Sequence, residues 1–154
     1  IVYAKYLAAT EETLYRALVL SNLTALLQKR GIGRLSAFCG AVCAACGSGA
    51  GITYLHGGDY DAISRTITNT LANASGLVCD GAKGSCAAKI ATSVDAAILA
   101  HEMSLDGNTF GAGEGLVKDN VEQTIASIGR MAADGMRETD SEILRIMIDQ
   151  GSGC

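Results

Sequence analysis

The chain has 154 residues, which is enough for one domain with its own core. Hydrophobic residues make up 49% of it and charged residues 18%, and this composition excludes intrinsic disorder. The formal net charge is −4, Trp is absent and no basic run occurs, which excludes a nucleic-acid-binding surface. The remaining classes of partner are small molecules and other proteins. The absence of Pro and the presence of 19 Gly favour long, uninterrupted helices with close backbone contacts.

Apolar residues at spacings of four or five predict a first helix from Thr10 to Arg30. They are Leu14, Leu18, Leu23 and Leu27. Acidic residues lie at its start and basic residues at its end, as the helix dipole favours. Gly31 is typical of a residue that ends a helix.

The segment from residue 35 to 58 contains no Asp, Glu, Lys or Arg, and it is long enough to span a membrane. Its residues are mainly Ala, Gly, Ser and Cys instead of the Leu, Ile and Phe of a membrane span. We therefore predict a buried central helix, whose small side chains let neighbouring helices approach.

Two further helices follow the central one. Asp59 is a suitable N-cap for a helix that ends at Gly76, and the helical pattern resumes near Ser85. A polar, glycine-rich loop over residues 106–115 ends the second of these helices.

The clearest helical stripe runs over residues 117–132 and ends at Gly135. Thr139 and Glu142 have the spacing of a capping box, which predicts the start of a last helix. The sequence thus predicts a single all-α domain over residues 1–154: a compact bundle of about six helices with a buried Gly/Ala/Cys-rich central helix.

The chain contains six cysteines. They are Cys39, Cys43, Cys46, Cys79, Cys86 and Cys154. No secretion signal is evident, so we expect a reduced, cytoplasmic setting, in which clustered cysteines bind metals or take part in chemistry more often than they form disulfides.

Cys79 and Cys86 are separated by six residues, in a glycine-rich loop that leads into a helix. Glycines let a backbone fold around a bulky ligand, and a helix N-terminus favours thiolates, so this loop suits a soft metal or an iron–sulfur cluster. A third ligand must come from the upstream cysteines.

The upstream triplet Cys39, Cys43 and Cys46 has the spacing found in radical enzymes that use S-adenosylmethionine. In those enzymes the triplet follows the first strand of a barrel, whereas here it lies in a helical segment, which disfavours that alternative. We interpret Cys43 and Cys46 as small core residues.

Three blocks of sequence, at residues 33–40, 76–86 and 119–140, resemble the L-cysteine desulfidases and the related alpha chains of iron–sulfur L-serine dehydratases. The most specific of them is the Cys-Asp-Gly-Ala-Lys run that begins at Cys79. The resemblance implies that Cys39, Cys79 and Cys86 bind a [4Fe–4S] cluster, which an aerobically prepared sample can lose.

The resemblance also implies a lyase of amino-acid catabolism that performs α,β-elimination on L-cysteine, giving pyruvate, ammonia and hydrogen sulfide without pyridoxal phosphate. The iron that lacks a protein thiolate would act as the Lewis acid. Two alternatives remain open: an L-serine dehydratase (L-serine ammonia-lyase) and a non-catalytic iron–sulfur or metal-binding subunit.

Several other residues are candidates for roles near the expected cluster. Lys83 and Ser85 are candidates for substrate binding, with a solvated lysine and a helix cap as the competing interpretations. Cys154 is a candidate fourth ligand, or a latch on the open iron until substrate displaces it. His101 lies on the apolar stripe of its helix, and we interpret it as a core histidine rather than a base.

Members of this family are considerably longer, so we interpret residues 1–154 as the C-terminal, cluster-binding part of a longer protein. The general base would then lie in the missing N-terminal region or in a companion subunit. We expect a small amino-acid substrate and a homo-oligomer, and neither a nucleic acid nor a membrane as partner.

Overall fold

The computed structural model describes residues 1–149, and the fold of that range is all-α, as predicted. The helices are α1 (Val2–Tyr6), α2 (Glu11–Ile32), α3 (Gly40–Leu55), α4 (Tyr60–Ala74), α5 (Ser85–Leu105), α6 (Val121–Arg130) and α7 (Arg137–Asp149), and a π-helical turn (Met131–Gly135) joins the last two. The six predicted helices correspond to α2–α7. Helix α1 was not predicted, because five residues are too few to show a helical period.

Helix α3 is the central element of the bundle and packs against α2, α4 and α5. Most of its residues are buried, which confirms the prediction of a central helix made of small residues. The buried residues are Val42, Cys43, Ala45, Cys46, Gly47, Gly49, Ala50, Gly51 and Thr53. Within residues 1–149, the model contains no helix with the length and apolar character that crossing a membrane would need.

The contact between α2 and α3 is made backbone to backbone. A Cβ atom on Gly47 would lie 2.3 Å from the carbonyl oxygen of Ser21, so only glycine fits there. On α2, Ala17 and Thr24 are also small, and both are buried. This close approach fixes the position of α3 in the bundle.

The leucine stripe that predicts α2 is not the buried face of that helix. Leu23 and Leu27 are 59% and 52% exposed, whereas Thr24 and Gln28 are buried. The reason is the close contact with α3, which large side chains on that face of α2 would prevent.

Side-chain caps begin three of the helices, and the cap of α4 was predicted from the sequence. Thr10, Asp59 and Asn120 each accept a hydrogen bond from the amide three residues later, at 3.2, 2.9 and 2.8 Å. These caps satisfy amides that the first helical turn leaves without partners.

The expected caps of α5 and α7 are wrong. Ser85 is the first residue of α5 and follows Gly84, which occupies the N-cap position without a side-chain hydrogen bond. Helix α7 begins at Arg137, so Thr139 and Glu142 lie inside the helix and form no capping box. The π-helical turn carries the helical backbone past Gly135 and thereby moves the start of α7 upstream.

A single hydrophobic cluster fills the space between α3, α4, α5 and α6. Phe38, in the segment before α3, and Leu71, in α4, are among its largest fully buried side chains. The core therefore reaches the segment that leads to Cys39, and packing as well as hydrogen bonding holds that segment in place.

Replacing Gly47 with Ala should destabilise the domain by about 1–3 kcal/mol, because the added methyl group would overlap the backbone of α2. Urea unfolding measures this loss. Gly40→Ala is the matched control in the same helix, since a Cβ there meets nothing within 4 Å. We expect that control to be neutral or to stabilise the domain by up to about 1 kcal/mol; equal effects of the two variants would contradict the proposed contact.

Candidate functional site

Two main-chain hydrogen bonds place the first two candidate cysteines side by side. The amide of Cys39 donates to the carbonyl oxygen of Leu77 at 3.0 Å, and the amide of Cys79 donates to that of Ala37 at 2.6 Å. Together they form an isolated antiparallel bridge between Phe38 and Val78. The two cysteines, 40 positions apart in the chain, thus belong to one local structure.

A serine connects this bridge to the π-helical turn. The Ser36 hydroxyl donates to the carbonyl oxygen of Ala132 at 2.7 Å and accepts a hydrogen bond from the amide of Phe38 at 3.1 Å. Irregular turns of this kind free carbonyl groups from the helical pattern, and functional sites often use them. Here the carbonyl of Ala132 holds the segment that precedes Cys39.

Cys86 lies in the first turn of α5 and is held by its own loop. Its thiol donates to the carbonyl oxygen of Gly81 at 3.4 Å, and the amide of Lys83 lies 3.5 Å from its sulfur. Gly81 has φ of +84°, a conformation that favours glycine, so the loop can turn back toward the helix. Met147 of α7 also packs against this glycine, since its Cε lies 3.3 Å from the position a Cβ would take.

The three cysteines line one cavity of about 550 Å³ between α3, α5 and the loop before α5. Small or apolar residues form most of its wall. The other lining residues are Gly40, Ala41, Ala44, Ala45, Ser48, Gly81, Ala82, Lys89, Ile90 and Val94. A cavity of this size falls in the range that holds small-molecule ligands and cofactors.

Lys89 is the cationic residue of this wall, and it was not among the residues predicted to take part in the site. Its ammonium group donates to Asp80, and the side chains of Lys89 and Asp80 are 19% and 43% exposed. This hydrogen bond raises the pKa of Lys89 and lowers the pKa of Asp80, so both groups are charged at neutral pH. The helical spacing of three residues from Cys86 could have identified Lys89.

The two residues predicted to bind substrate lie elsewhere. Lys83 and Ser85 are exposed and are not among the residues that line the cavity. Their predicted role stays a prediction. Cys154, the candidate latch, lies outside the described residues.

Cys43 and Cys46 face the core instead of the cavity. The Cys46 thiol is fully buried and donates to the carbonyl oxygen of Ile67 at 3.9 Å. Burial raises the pKa of Cys46 to about 12 and also raises the pKa of Cys43. The raised pKa values disfavour the thiolate form, which is the form that binds metals.

His101 is fully buried, and its ring Nδ1 lies 2.9 Å from the hydroxyl of Thr53. Its ring also packs against that of His56, with 4.6 Å between the ring centroids. Burial lowers the pKa of His101, so the ring is neutral at pH 7. His101 does not line the cysteine cavity, and the interpretation as a core residue matches its position.

In the part of the chain that the structure describes, no three His, Cys, Asp or Glu side chains lie close enough together to hold a single metal ion. A [4Fe–4S] cluster has a different requirement, because each thiolate binds a different iron atom. Three thiols spread around a cavity meet that requirement. The donor set and the cavity therefore fit a cluster.

The fold and the cavity define an all-helical protein in which three cysteines from two segments of the chain line one open cavity. The family model described as serine dehydratase alpha chain matches residues 1–145. The chain belongs to the serine dehydratase alpha chain family. This confirms the family resemblance, whereas specificity for L-cysteine stays a prediction.

Relatives similar over almost the whole chain carry the name UPF0597 protein. Those from Desulfitobacterium hafniense, Lachnoclostridium phytofermentans and Treponema denticola are 59%, 56% and 53% identical, over 99%, 97% and 96% of this chain. The chain spans only 35%, 36% and 34% of their respective lengths. No solved structure matches the chain.

The raised pKa of Cys46 makes stability depend on pH in the alkaline range. In the folded state the Cys46 thiol stays protonated up to about pH 12, whereas the ordinary pKa of a cysteine thiol is 9.0. The stabilisation is therefore complete below about pH 9 and is lost as the pH rises toward 12, by at most about 1.4 kcal/mol per pH unit.

Cys46→Ala should weaken this alkaline loss of stability, as measured by urea unfolding at a series of pH values. Cys86→Ala, which removes a half-buried thiol at the cavity, is the control. An identical alkaline slope in wild type and Cys46→Ala would show that the buried thiol is not the titrating group.

Proposed function

We propose that this chain is the cluster-binding part of an iron–sulfur lyase that performs α,β-elimination on L-cysteine, producing pyruvate, ammonia and hydrogen sulfide. The observation that carries the proposal is the separation of the cysteines into two groups. Cys39, Cys79 and Cys86 line one cavity, while Cys43 and Cys46 are buried and do not line it. Cys39 is also buried and joins the core cluster to the cavity. The first group is the set that family resemblance assigns to the cluster.

The three thiolates would hold a [4Fe–4S] cluster at the wall of the cavity. When bound, such a cluster supplies an iron atom that acts as a Lewis acid toward the leaving group of the substrate. Residues such as Ala44, Ala45 and Ile90 make most of the wall apolar, and the cavity is open to solvent at the exposed Ala44 and Ile90. Among the described residues that line it, Lys89 is the charged one.

Lys89 would bind the carboxylate of the amino-acid substrate. It lines the cavity, and its hydrogen bond to Asp80 keeps it both charged and oriented. A lysine held in the cationic form is a poor general base and a good anion-binding group. Lys83 and Ser85 remain the alternative substrate contacts proposed from the loop sequence.

The cavity wall offers no suitable group for removing the α-proton. Among the described residues that line it, none is Asp, Glu or His. We therefore place the general base in the part of the longer relatives that this chain does not span, or in a companion subunit.

L-Serine is the second candidate substrate, and the description of the matching family as serine dehydratase alpha chain favours it. A hydroxyl and a thiol differ in softness toward iron, yet both are small enough for the same cavity. A full-length chimera, in which this chain replaces the matching segment of the Desulfitobacterium hafniense relative, allows a direct comparison. Pyruvate formation from each amino acid, and sulfide formation from L-cysteine, would be measured after anaerobic reconstitution.

Turnover of L-serine alone would assign the dehydratase activity. A reconstituted chimera that binds a cluster and turns over neither substrate would contradict the lyase proposal and favour a non-catalytic iron–sulfur subunit.

Cluster binding itself can be tested on the present chain. After anaerobic reconstitution with iron and sulfide, Cys39→Ser, Cys79→Ser and Cys86→Ser should each lose most of the bound iron and acid-labile sulfide. Cys43→Ala is the control and should retain the wild-type content, because Cys43 does not line the cavity. Loss of the cluster in the control, with retention in Cys39→Ser, would contradict the ligand assignment.

Replacing Lys89 with Met should raise the KM of the chimera by about 10- to 100-fold and change kcat less, because a charge-assisted hydrogen bond to the substrate carboxylate would be lost. Steady-state kinetics of pyruvate formation measure both constants. Lys83→Met, which removes the exposed lysine of the same loop, should leave KM nearly unchanged. The opposite result for the two variants would assign the carboxylate to Lys83.

A further inference from the structure

Helix α2 carries an exposed stripe of large apolar side chains. Tyr15, Val19, Leu23 and Leu27 follow one another at intervals of four residues and are 52–59% exposed. An interval of four places them on one face of the helix. The opposite side of α2, made of smaller and more polar residues, is the one that packs into the bundle.

This α2 stripe forms one wall of a groove of about 1260 Å³. Ile63 and Ile67 of α4, together with Ile125 of α6, form the other wall. The volume exceeds the roughly 300–1000 Å³ of typical small-molecule sites, and the groove is open along its length. These dimensions suit a segment of polypeptide better than a small ligand.

The rim of the groove is predominantly acidic. Glu11, Glu12, Asp59 and Glu122 line it, while Arg16 is the basic residue among its described lining residues. Soluble monomeric domains rarely leave a contiguous apolar surface of this kind open, and polar rims around such surfaces are typical of protein interfaces. The complementary surface would present an apolar ridge flanked by basic side chains.

The lengths of the relatives indicate the occupant. This chain spans 34–36% of each of the three relatives described above, so most of each relative has no counterpart here. That additional polypeptide needs a surface on which to pack if it is to complete the site, and the groove is a large apolar surface that the described part of the bundle leaves open.

We propose that the groove between α2, α4 and α6 is the docking surface for the part of the longer polypeptide that this chain does not span. The groove shares no lining residue with the cysteine cavity. Docking can therefore be tested without cluster binding.

The test uses the full-length chimera with Cys39→Ser, so that its outcome does not depend on the cluster. A photo-crosslinking amino acid, p-benzoylphenylalanine, is placed at position 19 in the groove or at position 35 as the control. Leu35 is 90% exposed and does not line the groove. Mass spectrometry then identifies the crosslinked peptides.

We expect crosslinks from position 19 to peptides outside the segment supplied by this chain, within the same molecule, and none from position 35. Leu23→Asp should reduce the yield from position 19 by about tenfold or more, as loss of a central apolar contact does at interfaces. Leu35→Asp should leave the yield unchanged. Circular dichroism checks that both variants fold, and Leu27→Asp replaces Leu23→Asp if the latter does not.

Two results would overturn the proposal. Crosslinks between two copies of the groove would identify a second copy of the chain as the occupant. Absence of protein crosslinks from position 19 would show that the groove faces solvent. Neither result would affect the cluster proposal, which rests on the separate cysteine cavity.

Discussion

The hydrogen-bonded bridge between Phe38 and Val78 is the constraint on which the candidate site depends. It joins the segment before α3 to the segment after α4, and it places a cysteine next to each of its two central residues. Without this bridge, Cys39 and Cys79 would belong to two separate loops. A cluster site needs thiols that are already close, since ordering two loops would cost conformational entropy.

The packing of α3 makes that bridge possible. Glycines and alanines let α2, α4 and α5 approach α3 closely, and the resulting contacts fix the direction in which α3 begins. Cys39 occupies the N-cap position of this helix and is buried, so its place follows from the position of the helix. Composition, packing and site geometry are therefore linked: a central helix with larger side chains would separate the elements that carry the thiols.

Much of this organisation could be predicted from the sequence. Helical periods and caps identify α2 to α6, and the lack of charge together with the small residues identifies α3 as the buried helix. The distinction between core and cavity cysteines also follows from position: Cys43 and Cys46 lie within the apolar helix, whereas Cys79 and Cys86 flank a glycine-rich loop. The start of α7 could not be predicted, because the π-helical turn is a tertiary feature with no local sequence signal.

Other features depend on which face of an element meets its neighbour, and periodicity alone cannot decide this. The leucines of α2 give a clear helical period, yet backbone contact at Gly47 turns the smaller face inward. The sequence likewise does not show which lysine reaches the cavity. Lys83 belongs to the family motif, yet it does not line the cavity. Lys89 reaches the cavity because one turn of α5 carries it there from Cys86.

The three thiols of the cavity are not held in equivalent ways. Cys39 and Cys79 are joined through the bridge, and Ser36 ties the segment before Cys39 to the π-helical turn, whereas the side-chain hydrogen bonds of Cys86 go to its own glycine-rich loop. Cys86 also belongs to the first turn of α5, so the position of that helix sets its distance from the other two sulfurs. The cavity thus has one side built from main-chain hydrogen bonds between distant segments and one side built from a helix and the loop before it, and this loop adjoins α7 through Met147.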